Sequence, residues 1–222
     1  MSFDDTYLHS RATRAIPKKS PFHFVGQMTF LNANGKSQAM EYNSLLEYHV
    51  AICSRYRPDV VNVEEQIAPI MVRHGTVRAT PYWFDLRLTH RNGQRTAISV
   101  KPQRKAERHV FHAKMEAVTR VATMETANRV CVATERNVDP IELANAKLFH
   151  AARHPDPYMD DQVTSALDAL TKPMQIREFL DACGIGSTGF WSVIRLIRSG
   201  AAKVLAAERI TPRTIITHGE NS

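Results

Sequence analysis

The sequence has little cysteine, no long apolar run and no internal repeat. Its three cysteines, Cys53, Cys131 and Cys183, stand far apart in 222 residues. They have neither metal-ligand spacing nor the density of a disulfide scaffold, so they read as reduced thiols of a cytoplasmic protein. No stretch of about 18 apolar residues occurs, so no membrane-spanning helix and no membrane partner are expected. The opening residues, MSFDDTYLHS, lack the charged start and apolar stretch of a secretory signal. The run Gly184-Ile185-Gly186-Ser187-Thr188-Gly189 follows a helical segment rather than a strand, which argues for a turn between helices and against a dinucleotide site. Gly35-Lys36-Ser37 has no upstream glycine, so a phosphate-cradling loop for ATP is not expected. His150 and His154 are four apart on a helical segment, but no third zinc ligand is near.

Positive charge and apolar content are plentiful. The net charge is +7 and 43% of residues are hydrophobic, enough for one good core or two small ones. A basic surface releases the counterions condensed on DNA, which makes nucleic acid the leading partner class. Residues 1–26 form a basic arm. Its stretch SRATRAIPKKSP carries Arg11, Arg14, Lys18 and Lys19, either laid along a DNA backbone or solvated.

Asn34-Gly35 marks a hairpin between strand-like segments. Residues 43–57 read as an amphipathic helix, with Leu45, His49, Ile52 and Tyr56 on one stripe, Asn43 as N-cap and Pro58 ending it. Residues 59–67 alternate as a strand does. PYWFDLRLTH reads as one aromatic strand, Arg91-Asn92-Gly93 as a turn, and TAISVK as the returning strand. From 104 to 126 the spacing is helical, with Ala106, Val110, Ala113, Ala117, Val121 and Met124 on the apolar stripe. Arg104, Lys105 and Arg108 lie on the basic face, either solvated or against DNA phosphates. A buried-type strand, RVCVATE, and a helix after Asp139-Pro140 follow. HPDPY at 154–158 is the expected domain boundary. Beyond it, three short helices and two short strands over 160–222 fit a winged helix, with Gly200 as a helix C-cap. The last helix, TGFWSVIRLIRS, is too apolar for base reading and suits packing or protein contacts.

The order helix Glu47, strand Asp85, strand Lys101 carries chemistry. A hairpin through Arg91-Asn92-Gly93 brings Asp85 and Lys101 to neighbouring strand ends. A carboxylate inside an aromatic strand is costly unless paired or metal-bound. Phosphodiester cleavage needs such a set: carboxylates hold a hard cation, and an ammonium orients water or stabilises charge on the phosphorane. The bland alternative leaves Glu47 and Lys101 as exposed charges and Asp85 as a turn cap.

YNSLLEYHVAICSRYRPDVVNVEEQ, TPYWFDLRLTHRNGQRTAISVKP and RVCVATERNVDPIELANAKLF together resemble the TnsA endonuclease family. That resemblance implies a restriction-endonuclease-like α/β core of the PD-(D/E)XK type over 27–153, a mixed sheet flanked by helices, followed by the winged helix. It implies Glu47, Asp85 and the Val100 carbonyl as ligands of Mg2+ (Mn2+ substituting) and Lys101 as catalytic lysine. Ser99 stands where the family's motif usually has Glu or Gln; Ser99 and Glu65 are accessory candidates. It also implies one-strand hydrolysis at each transposon end, beside a DDE-type transposase subunit (TnsB-like) and an AAA+ ATPase regulator (TnsC-like), on bacterial nucleoid DNA. The rival readings are a stand-alone restriction-type or phage nuclease of the same core and an inactive DNA-binding adaptor.

Overall fold

The computed structural model describes residues 7–14, 24–32, 35–75 and 78–219. The chain divides at Asp139 and Pro140 into two compact units.

In the first unit, β1 (Tyr7–Leu8), β2 (Gly26–Leu31) and β3 (Ser37–Tyr42) form a small sheet in the order β1–β3–β2. The expected hairpin turn falls partly at Asn34, outside the described residues, but its flanking strands pair antiparallel from Leu31↔Ser37 to Gly26↔Tyr42. Helix α1 (Leu45–Tyr56) is capped by Ser44 and not by Asn43. Ser44 is extended, which aims its hydroxyl at the Glu47 N–H, 3.1 Å away. The helix stops at Tyr56 because Pro58 disfavours a helical Arg57, whose ψ is 136°.

Four strands build the main sheet. Strand β4 (Val60–Glu65) is followed by the short antiparallel pair β5 (Ile70–Val72) and β6 (Thr80–Tyr82), then by β7 (Leu86–His90) and β8 (Arg95–Val100). After α2 (Gln103–Ala106) and α3 (His109–Glu125) comes β9 (Arg129–Ala133). The order is β4–β7–β8–β9, antiparallel twice and then parallel. The parallel step requires a long crossover, which α2 and α3 supply. Helix α1 packs on β4 and β8, and α3 on β9. The fold is therefore mixed α/β, with a mixed sheet flanked by helices.

Two expectations shift. The single strand anticipated over PYWFDLRLTH is two, β6 and β7. Tyr82 and Phe84 both enter the core in edge-to-face contact, centroids 5.3 Å apart, and the chain changes sheets between them. The helix anticipated over 104–126 is also two. The break at Glu107 and Arg108 resets the phase, so Val110 is exposed while Phe111, Met115, Val118 and Ala122 line the core. The tight turn holds: Gly93 has φ 82° and its N–H meets the His90 carbonyl at 2.9 Å.

The second unit contains α4 (Pro140–Ala151), α5 (Pro157–Asp168), β10 (Met174–Gln175), α6 (Ile176–Ala182), α7 (Phe190–Ser199), β11 (Ala202–Val204) and β12 (Ile215–His218). Its sheet is antiparallel in the order β10–β12–β11. Val163, Leu167, Ile176, Phe179, Leu180, Val193, Ile194 and Ile216 make its core. The boundary read at 154–158 moves one helix earlier, because Leu148, Phe149 and Ala152 pack into this core. HPDPY is an inter-helix turn inside the unit: Asp156 caps α5, its Oδ1 accepting from Met159 N–H at 3.2 Å. Gly184 and Gly186 adopt positive φ in the turn after α6, as the sequence predicts, and a Cβ on Gly189 would lie 2.7 Å from Leu180. Gly200 caps α7 at φ 88°. Among the described residues, no helix is long and apolar enough to cross a membrane.

Candidate functional site

The hairpin β7–β8 makes the site. Asp85 precedes β7 but is paired on both sides: its N–H donates to the Ile98 carbonyl and its carbonyl accepts from Gln66 N–H, each at 3.0 Å. Phe84 and Leu86, both buried, pin the backbone on either side of it. Its Oδ2 accepts from Val100 N–H at 2.7 Å and from Lys101 Nζ at 3.0 Å. Lys101 Nζ also donates to the Val100 carbonyl at 2.8 Å. One ammonium thus sits between two oxygens that converge on a single point, one anionic and one neutral. The Lys101 N–H still pairs with Ala133 O at 2.9 Å, and Pro102 then starts α2.

Glu47 joins them from α1. Its Oε2 accepts from Asn43 N–H at 2.9 Å, and its Oε1 lies 3.3 Å from the Ser44 hydroxyl. Ser-Leu-Leu-Glu is thus close to a capping box, a signal present in the sequence but read there only as a helical stretch. Burial, then the charge of Asp85, holds the Glu47 carboxyl above the usual carboxylate range, against the opposing pull of the Asn43 amide, Lys101 and Ser44. Two half-buried carboxylates that repel each other would be relieved by a shared cation. Their oxygens, with the Val100 carbonyl, are the hard donors that suit Mg2+. Among the described residues no group of three His, Cys, Asp or Glu side chains could hold a metal. A cation held by Glu47 and Asp85 would draw its remaining ligands from neutral oxygens.

The other candidates are placed differently. Ser99 is fully buried, and its hydroxyl lies 2.6 Å from that of Tyr82, which in turn donates to Met115 Sδ at 3.3 Å. Ser99 is on the strand face of Lys101 but its oxygen is committed to the core. Glu65 is a correction: it does not turn towards Asp85. Its Oε1 accepts from the Ser10 hydroxyl at 2.7 Å and Arg11 N–H at 3.0 Å, tying down the N-terminal segment. Burial raises its carboxyl above the usual range. Glu64 forms a two-pronged ion pair with Arg87, both contacts at 2.8 Å. Arg104, Lys105 and Arg108 are exposed on and after α2, directly beyond Lys101. Lys18 and Lys19 lie outside the described residues. In α7, Arg195 is wholly committed within its unit, to Asp160 and to the carbonyls of Ala152 and His154. That removes one of the helix's two arginines from any external contact.

Sequence reasoning missed Gln66. It is buried beside Asp85, with its Nε2 3.3 Å from Asp85 Oδ1. Its only signal was its place next to the paired glutamates at the end of a strand. No protein-family model and no curated protein sequence matches this chain.

Proposed function

We propose that the chain is a metal-dependent DNA endonuclease with a PD-(D/E)XK core, resembling the TnsA subunit of heteromeric transposases. The observation that carries this is the Lys101 ammonium bridging Asp85 Oδ2 and the Val100 carbonyl, with Glu47 close enough to feel the Asp85 charge. The order α1, β4, β7, β8, α3, β9 supports the same reading, since it sets a helix carboxylate, a strand carboxylate and a strand lysine at one end of a mixed sheet.

Glu47, Asp85 and the Val100 carbonyl would hold Mg2+. When bound, the ion supplies Lewis acidity to the scissile phosphate. Lys101 releases Asp85 and turns its ammonium to the attacking water or to charge developing on the phosphorane. Arg104, Lys105 and Arg108 contact backbone phosphates of double-stranded DNA and fix its register, without reading sequence. The α5–β10–α6–α7–β11–β12 unit is a winged helix that serves protein contacts, given the apolar α7 and the internal commitment of Arg195. In this reading the chain cuts one strand at each transposon end, beside a DDE-type transposase and an AAA+ regulator.

A DNA-binding adaptor without activity is the second reading, favoured by one observation: the Ser99 hydroxyl is tied to Tyr82. Nicking of a transposon-end duplex with Mg2+ and the partner transposase, by wild type and Asp85→Asn, separates the two. Asn still offers Val100 an acceptor, whereas Ala would strand a buried N–H at about 1–3 kcal/mol. Cleavage by wild type, lost in Asp85→Asn, supports the nuclease.

A further inference from the structure

We infer that Gln66 supplies the side-chain oxygen that completes the cation site, taking the place that Ser99 leaves empty; this rests on the nuclease reading above. Among the described residues Glu47 and Asp85 are not joined by a third His, Cys, Asp or Glu, and the Ser99 oxygen is turned into the core. Gln66 is 2% exposed, and its Oε1 is buried with no hydrogen-bond partner. The metal-free fold thus leaves this amide oxygen unpaired while the amide nitrogen faces Asp85.

Its position is tightly determined. The Gln66 N–H donates to Asp85 O at 3.0 Å, and its carbonyl accepts from Thr13 N–H at 2.9 Å and Thr13 Oγ1 at 2.8 Å. Its φ is +41°, a left-handed conformation uncommon for glutamine and maintained only where surrounding contacts impose it. The backbone is thus held in strain and its amide is carried next to Asp85. Half a turn about the last side-chain bond exchanges the amide nitrogen and oxygen. Oε1 then lies near the nitrogen's present place, 3.3 Å from Asp85 Oδ1. Two oxygens so close repel unless a cation lies between them. A cation there would be held by the Gln66 amide oxygen together with Asp85. Without metal, the amide takes its present orientation and donates to Asp85.

The test is Mn2+ titration of the full chain by electron paramagnetic resonance, with melting temperature measured in chelator. The set is wild type, Gln66→Asn, Gln66→Glu and Asp85→Asn. Asparagine tolerates positive φ but is one methylene too short to reach. Gln66→Asn should weaken Mn2+ binding by about tenfold or more, with metal-free melting unchanged or raised. Gln66→Glu should tighten it, more so as pH rises. Wild-type affinity in Gln66→Asn, or affinity in Gln66→Glu no tighter than wild type, overturns the assignment while Asp85→Asn still shows the site. Should Gln66→Asn fail to fold, Gln66→Glu alone decides. No Mn2+ binding by wild type, or unaltered binding by Asp85→Asn, overturns the nuclease reading itself.

Discussion

Replacing Lys101 by alanine should move metal binding and cleavage in opposite directions. An ammonium donates hydrogen bonds and cannot ligate a cation. In the metal-free protein it occupies the point where Asp85 Oδ2 and the Val100 carbonyl converge, at 3.0 and 2.8 Å. A metal must first displace it. The bond given up to Asp85 is charge-assisted, worth about 1.5–3 kcal/mol. The lysine side chain is 32% exposed, so water offsets much of that loss and the lower end applies. Lys101→Ala should therefore bind Mg2+ or Mn2+ roughly tenfold more tightly, since about 1.4 kcal/mol is a factor of ten. Strand cleavage should fall by at least about a hundredfold, the scale of removing one preorganised charge from a transition state. Lys101→Arg should not restore it, because a planar guanidinium cannot place a compact charge at the same point. Calorimetric metal titration beside nicking of an end-containing duplex reads both quantities. Unfolding would lower both together, so the split is diagnostic. Weaker metal binding, or undiminished cleavage, would refute the reasoning.

Three further outcomes follow from particular side chains. Glu47 is held above the usual carboxylate range, so the fold prefers it neutral; its contribution to stability is full below that range and is lost as pH rises through the raised value. Metal-free wild type should lose more stability between acid and neutral pH than Glu47→Gln does, and Mg2+ should restore it only in wild type, as chemical denaturation across pH would show. Ser99→Glu should not create a metal ligand but force a carboxylate against Tyr82 and Met115, lowering the melting temperature by on the order of 5 °C with no gain in metal affinity. Truncation at residue 159 should leave Leu148 and Phe149 uncovered and yield an aggregating chain, whereas truncation at 139 should give a monodisperse one by size exclusion.

The site was legible where local signals coincided with the fold. Arg91-Asn92-Gly93 between alternating segments fixed one hairpin, and that hairpin alone brings Asp85 to Lys101. Glu47 was legible as a helix residue, though the Ser44 cap that aims its carboxylate was read one residue early. What failed depended on tertiary choice. PYWFDLRLTH has the composition of one strand, and only the shared burial of Tyr82 and Phe84 divides it. A helical stripe through Ala106 and Val110 assumes unbroken phase, and the break at Glu107 and Arg108 rotates it onto Phe111 and Met115. Pro and Asp at 155–157 mark a turn equally well between domains or inside one; the packing of Leu148 and Phe149 decides. Gln66 and Glu65 were beyond sequence reasoning for a related reason. Glu65 ends β4 and Gln66 turns left-handed just beyond it, and nothing local says which of the two adjacent polar side chains meets Asp85 and which meets Ser10.

The most direct measurement is the nicking of one transposon-end duplex by the chain together with its transposase partner, with and without Mg2+, for wild type and Asp85→Asn. The expected result is a single-strand cut at the transposon end that needs the metal and disappears in Asp85→Asn while DNA binding persists. A cut of equal rate in Asp85→Asn, or in chelator, would contradict it.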